Sequence, residues 1–133
     1  MKQIILITCC IAFLAVSAQQ TAQPSKQRGA ALYKQYCLTC HQADGSGVPK
    51  LNPPLIKTSW VTGEKPKLIK WVLQGSVEKV DIDGEYYTNN MPAQNYLTDQ
   101  QISDVLTYVR SSFGNKSSAI TPAEVKTVRA SIK

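Results

Sequence analysis

The chain has 133 residues, with 15 Lys and Arg against 9 Asp and Glu and a formal net charge of +6. This length holds one ordinary domain and no second, and neither repeats nor low-complexity tracts interrupt it. The basic balance fits an acidic docking partner or an anionic surface, or serves solubility alone, and a nucleic-acid partner is not expected.

Met1-Lys2-Gln3 is a short positive start, residues 4–16 are an apolar run, and Val16-Ser17-Ala18 ends it in small residues. This is the three-part form of a secretory signal peptide, so residues 1–18 are expected to be cleaved after Ala18. The run falls short of the roughly 20 residues that span a bilayer, and no later stretch reads as a transmembrane segment. Without a twin-arginine pair, export of an unfolded chain is expected, with cofactor added afterwards, giving a periplasmic or otherwise exported location. Cys9 and Cys10 lie inside the apolar run. A lipid anchor on one of them is set against two small hydrophobes in a discarded segment; apolar sequence continuing after them favours the second.

Residues 19–25 read as a flexible N-terminus and 26–133 as the domain. Ser25 is a plausible N-cap, and Ala30, Leu32, Tyr33 and Tyr36 carry helical spacing over 26–40. Gly45, Gly47, Pro49, Pro53 and Pro54 exclude a regular element over 42–58 and mark a long ordered loop. A helix over 65–74 follows, stopped by Gly75. Val80 and Ile82 alternate with charged residues, Asp83-Gly84 is a turn signal and Tyr86-Tyr87 follow, which predicts a small hairpin over 80–87. Thr98 with Gln101 forms a capping box for a helix ended by Gly114. Thr121-Pro122-Ala123-Glu124 starts a last short helix over 121–131. The fold class is therefore all-α, with one hairpin excursion.

Cys37-Leu38-Thr39-Cys40-His41 is the attachment pattern of a c-type haem. On a helix, positions i, i+3 and i+4 share one face, so both thiols can meet the two vinyl groups of one porphyrin edge while the histidine turns its imidazole under the iron. A structural zinc site takes about four Cys/His-type ligands, and the chain outside the leader has only these three. A thioredoxin-like pair would follow a strand in a βαβ unit, and a plain disulfide leaves the histidine unexplained.

His41 is the only histidine, which excludes bis-histidine ligation within one chain. Met91, in a loop held by Pro92 and flanked by Thr88-Asn89-Asn90, is the only methionine besides Met1. It is the candidate second axial ligand, a soft thioether that would raise the potential. The alternatives are a core-filling methionine, an open or water-occupied position, or a lysine or asparagine ligand.

Over nearly the whole length after residue 18, the chain resembles a class I monohaem cytochrome c. It is especially similar to the bacterial group associated with periplasmic nitrite reductases and quinoprotein dehydrogenases. The resemblance rests on Cys37 to His41, on Gly29 and Tyr33 with Val105 and Tyr108, and on Asp44-Gly45-Ser46-Gly47 to Pro53-Pro54-Leu55. It continues through Asn90-Met91-Pro92-Ala93 and Leu97 to Ile102. It implies a helical fold wrapped around one covalent haem c, with His41 and Met91 as axial ligands. It also implies that the carbonyl of one of the prolines, Pro53 ahead of Pro54, accepts a hydrogen bond from His41 Nδ1.

Tyr86, Tyr87 and Tyr96 are candidates to line the haem crevice or bond a propionate, and Trp60 and Trp71 to pack in the core or on the haem. Lys65, Lys67, Lys70 and Lys79 either ring an electron-transfer face or are simply solvated. The expected function is electron transfer rather than catalysis, by a monomer or a subunit of a redox complex. Expected partners are a dehydrogenase, a nitrite reductase or a terminal oxidase. Competing readings are an open-site haem protein that binds gas or reduces peroxide, a thiol–disulfide oxidoreductase, and a structural role.

Overall fold

Residues 24–132 are described by the computed structural model; the expected leader, with Cys9 and Cys10, lies outside the described residues. In chain order the elements are α1 (Ser25–Tyr36), α2 (Leu38–His41), α3 (Ser59–Thr62), α4 (Lys65–Gln74), β1 (Val80–Ile82), β2 (Glu85–Tyr87), α5 (Asp99–Ser111) and α6 (Pro122–Ser131). The helix expected over 26–40 is broken at Cys37, whose φ of −117° leaves the helical range. The break separates α1 from the single turn that carries Cys40 and His41. Ser25 is not the N-cap either: Pro24 holds that position, and the Ser25 hydroxyl instead donates to Asp104 Oδ1 at 2.5 Å. The short α3 had no counterpart in the periodicity; Thr58 caps it by accepting from the Val61 N–H.

Elements with strong local signals stand where those signals lie. Helix α4 stops at Gly75, at φ +68°. Strands β1 and β2 pair antiparallel, Val80 opposite Tyr87 and Ile82 opposite Glu85. Asp83 and Gly84 both have positive φ, the backbone that suits a two-residue hairpin turn. Both α5 and α6 begin with complete capping boxes, Thr98 with Gln101 and Thr121 with Glu124.

The frame is the crossing of α1 over α5. At Gly29 a Cβ would lie 2.0 Å from the Asp104 carbonyl oxygen and 2.8 Å from Tyr108 Cβ, so only glycine admits this approach. Beside the crossing, Tyr33 packs against Tyr108 and Phe113 with ring centroids 5.4 and 5.3 Å away. Buried Asp104 receives Ser25, both the Nε and Nη2 of Arg28 (2.6 and 2.7 Å), and Gln100. Below the crossing, Val61, Ile69, Leu73, Ile102, Leu106, Val109, Ile120 and Val125 form one continuous core.

Two measurements test this frame. Alanine's better helix preference is worth about 1 kcal/mol, whereas forced overpacking typically costs 1–3 kcal/mol. A clash this short against backbone puts Gly29→Ala about 2 kcal/mol below wild type in denaturant unfolding. Burial alone would raise the Asp104 carboxyl, but the bonds from Arg28, Ser25 and Gln100 outweigh it and hold it below its ordinary value. Its contribution is therefore complete above the ordinary carboxylate pKa of about 4 and is lost as pH falls through the lower folded value. Asp104→Asn is expected to flatten the acid limb of the stability–pH curve.

Candidate functional site

One apolar crevice opens between α1–α2, the 42–58 loop and the Met91 loop. Counting its solvent-open mouth it encloses about 1320 Å³, and Leu68, Val72, Val105, Leu106 and Val109 are among its apolar lining. Cys37, Cys40, His41, Pro53, Pro54 and Met91 all line it, so the structure brings these predicted site residues to one place.

His41 Nδ1 lies 2.9 Å from the Pro53 carbonyl oxygen. A carbonyl only accepts, so Nδ1 carries the proton and Nε2 keeps its lone pair. Burial lowers the His41 pKa, with the Pro53 carbonyl opposing it, and the ring is held neutral as a ligand must be. The loop reaches this position through glycine. At Gly47, φ +67°, a Cβ would lie 2.4 Å from the Asn52 carbonyl oxygen and 2.6 Å from that of Pro53. The loop is then tied by Gly47 N–H to His41 O, Leu55 N–H to Gly45 O, and reciprocal bonds between Val48 and Asn52.

Cys37 and Cys40 are free thiols, the first half-buried and the second exposed. Burial, helped by neighbouring Cys40, pushes the Cys37 pKa up to about 11. Redox dithiols work by the opposite shift, toward thiolate at neutral pH, so the direction at Cys37 runs against that chemistry. Among the described residues, no three His, Cys, Asp or Glu side chains gather to hold a metal ion by themselves.

Met91 is half-buried and packs against the core. Its N–H donates to Ser76 O at 2.9 Å and its carbonyl accepts from Ser76 N–H at 2.8 Å. Gly75 makes room for this pairing, since a Cβ there would lie 2.3 Å from Met91 O.

Two candidates fall elsewhere. Neither Tyr86 nor Tyr96 lines the crevice; Tyr87 and Tyr36 do. Successive strand residues face opposite sides, so only one of Tyr86 and Tyr87 can turn inward, and Tyr86 lies outside under Lys79 Nζ at 3.9 Å. Tyr96 is 63% exposed and donates to Gln94 Oε1. Trp60 and Trp71 do line the crevice, edge to face at 4.6 Å. Lys65 is paired with Glu124, and Lys67 sits over Trp60.

Sequence reasoning assigned no role to buried Asn115. Its Nδ2 donates to Leu55 O and Val109 O, both at 2.8 Å, and its Oδ1 accepts from Lys57 N–H at 2.7 Å. It pins the end of the 42–58 loop to α5. The only local signal was its place after Gly114, where a polar residue reads as turn.

The donor set fits a c-type haem. Two unpaired thiols three positions apart are available for thioether bonds, a neutral imidazole has one nitrogen engaged and one free, and a thioether shares the apolar crevice. Residues 26–113 match the cytochrome c family, and α6 lies beyond that match. The chain is 37% identical over 110 residues to the fructose dehydrogenase cytochrome subunit of Gluconobacter japonicus, covering 77% of this chain and 22% of that subunit. It is 33% identical over 111 residues to the cytochrome c subunit of the alcohol dehydrogenase (quinone) of Gluconacetobacter polyoxogenes, with 76% and 22% covered. It is 30% identical over 129 residues to cytochrome c-552 of Thermus thermophilus, with 90% and 84% covered. The chain thus spans about a fifth of the length of the dehydrogenase subunits it matches.

Removing the Asn115 side chain leaves the Leu55 carbonyl and the Lys57 N–H without their partner, and the Val109 carbonyl with the longer 3.4 Å bond from Ser112 N–H. Asn115→Ala is expected to lower unfolding stability by about 2–4 kcal/mol, read from guanidinium unfolding of the holoprotein.

Proposed function

Because the chain belongs to the cytochrome c family, we propose that it is an exported one-electron carrier whose single haem is joined to Cys37 and Cys40 and ligated by His41 and Met91. Covalently bound c-type haem is the cofactor of this family, and its relatives are named as cytochrome c-552 or as cytochrome c subunits of dehydrogenases. The observation that carries the proposal is the gathering of both thiols, the only histidine and Met91 in one apolar crevice.

Reversible one-electron change between ferric and ferrous iron is the chemistry that such a haem supplies. Cys37, at the break between α1 and α2, and Cys40 would hold the group by two thioether bonds. His41 presents Nε2, with Pro53 O fixing its rotation and tautomer and raising its basicity. Met91 presents a soft sulfur, which favours the ferrous form. The apolar walls would limit water around the bound group. His41 and Met91 would hold the iron between them, and one-electron transfer is the chemistry that such a group would supply.

Similarity to cytochrome subunits of fructose, alcohol and gluconate dehydrogenases favours a dehydrogenase as the redox partner, ahead of a nitrite reductase or a terminal oxidase. Among the described residues, no helix is long and apolar enough to cross a membrane. Export, with residues 1–18 removed, rests on the leader pattern of the sequence.

The test is an optical spectrum of protein co-expressed with a c-haem maturation system. The expected result is haem that stays on the chain through acid extraction, a weak near-red band in the ferric protein, and no carbon monoxide binding to the ferrous protein. Met91→Ala is expected to keep the covalent haem, lose the band and bind carbon monoxide. Covalent haem without the band in wild type would remove Met91 as a ligand and favour an open-site protein. Absence of covalent haem would overturn the reading altogether.

A further inference from the structure

One side chain of α6, Arg129, hydrogen-bonds the chain that runs from Met91 to α5. Arg129 Nη1 donates to Asn95 O at 2.8 Å, Nη2 to Leu97 O at 2.7 Å, and Nε to Asp99 Oδ1 at 2.7 Å. One planar guanidinium therefore spans three positions of the segment between the methionine loop and the first turn of α5. Leu97 is buried and lines the same crevice as Met91. On its other side the loop is held by the reciprocal Ser76–Met91 pair, and at its middle by Gln94 N–H to Val72 O. Asn89 N–H to Leu51 O holds its entry, and Arg129 adds a tie at its exit from a charged donor.

The helix carrying Arg129 is itself fixed. Val125 and Val128 are buried in the core, its N-terminus is closed by the Thr121–Glu124 capping box, and Glu124 binds Lys65 of α4 at 2.9 Å. A loop anchored to a mobile element gains little from the bond, whereas this anchor stands on packed valines.

From this geometry we infer that α6 is a clamp on the methionine loop and that Arg129 is a positioning residue, keeping Met91 in the crevice. The inference rests on the proposed ligation of haem by Met91. Lysine cannot replace the arginine, because a point charge pairs with Asp99 but cannot donate to both carbonyls in the fork geometry. Arg129→Gln removes both charge-assisted bonds to the loop and Arg129→Lys at least one of them, and the methionine-dissociated fraction rises by roughly tenfold in each.

The experiment follows two signals during guanidinium titration of ferric holoprotein: the near-red band for methionine ligation and far-ultraviolet circular dichroism for the helices. Carbon monoxide uptake by the ferrous protein is measured alongside. In wild type the two signals are expected to disappear together. In Arg129→Gln and Arg129→Lys the band is expected to go first, at denaturant concentrations where the helices persist, with faster carbon monoxide uptake. Lys65→Ala removes the other ionic tie of α6, so it is expected to shift both signals together. Coincident transitions and unchanged carbon monoxide uptake in both Arg129 variants would overturn the inference. A wild type with no near-red band would instead defeat the methionine ligation on which it rests.

Discussion

The approach of α1 to α5 at Gly29 is the constraint on which the remainder of the molecule hangs. Helix α1 leads into Cys37 and the turn α2 that carries Cys40 and His41, and α5 supplies Val105, Leu106 and Val109 to the floor of the crevice. A side chain at the crossing would have to occupy the Asp104 carbonyl. With only hydrogen there, the helices close far enough for Tyr33, Tyr108 and Phe113 to pack as one aromatic group. The buried Asp104 carboxylate then draws Ser25 and Arg28 onto the same point. Apolar packing and a satisfied buried charge thus act on one junction, and a buried charge is tolerable only when it is satisfied in this way.

Around that junction the site is made of loops, and loops need anchors because their backbone groups have no ladder to join. Each is tied to the helical frame by a side chain reaching main-chain atoms. The Tyr33 hydroxyl donates to Gln42 O at the start of the 42–58 loop, Asn115 holds its end, and Arg129 holds the exit of the methionine loop. Buried Arg110 does the same for α3, donating to Val61 O, Gly63 O and Ser118 O, and so supports the segment that carries Trp60. Charged donors to carbonyls form stronger bonds than neutral ones, which suits segments with few bonds of their own.

The electrostatics of the crevice suit the proposed ligation better than acid–base or thiol chemistry. Burial keeps the His41 ring neutral and the Cys37 thiol protonated. A nucleophilic or redox thiol would require a nearby cation or a lowered pKa, and the apolar walls supply neither. The same walls make a low-dielectric setting in which axial ligands and their hydrogen bonds govern a haem potential.

Much of this architecture was legible in the chain because its signals are local. Capping boxes at Thr98 and Thr121, the Gly75 stop, the Asp83-Gly84 turn and the spacing of Cys37, Cys40 and His41 all lie within a few residues, where backbone sterics and short hydrogen bonds decide. The interruption at Cys37, the use of the Ser25 hydroxyl across a helix interface, and the choice of Tyr87 over Tyr86 for the crevice were decided only by the tertiary structure. So were the roles of Asn115 and Arg129. These depend on partners far along the chain: Asn115 reaches Leu55 across 60 residues and Arg129 reaches Asn95 across 34. A polar side chain carries no local mark of which distant carbonyl it will meet. The sequence by itself determined which groups could hold a haem; only the packing of α1, α5 and α6 decided how the loops that present them are held, because that packing sets which backbone atoms come within reach.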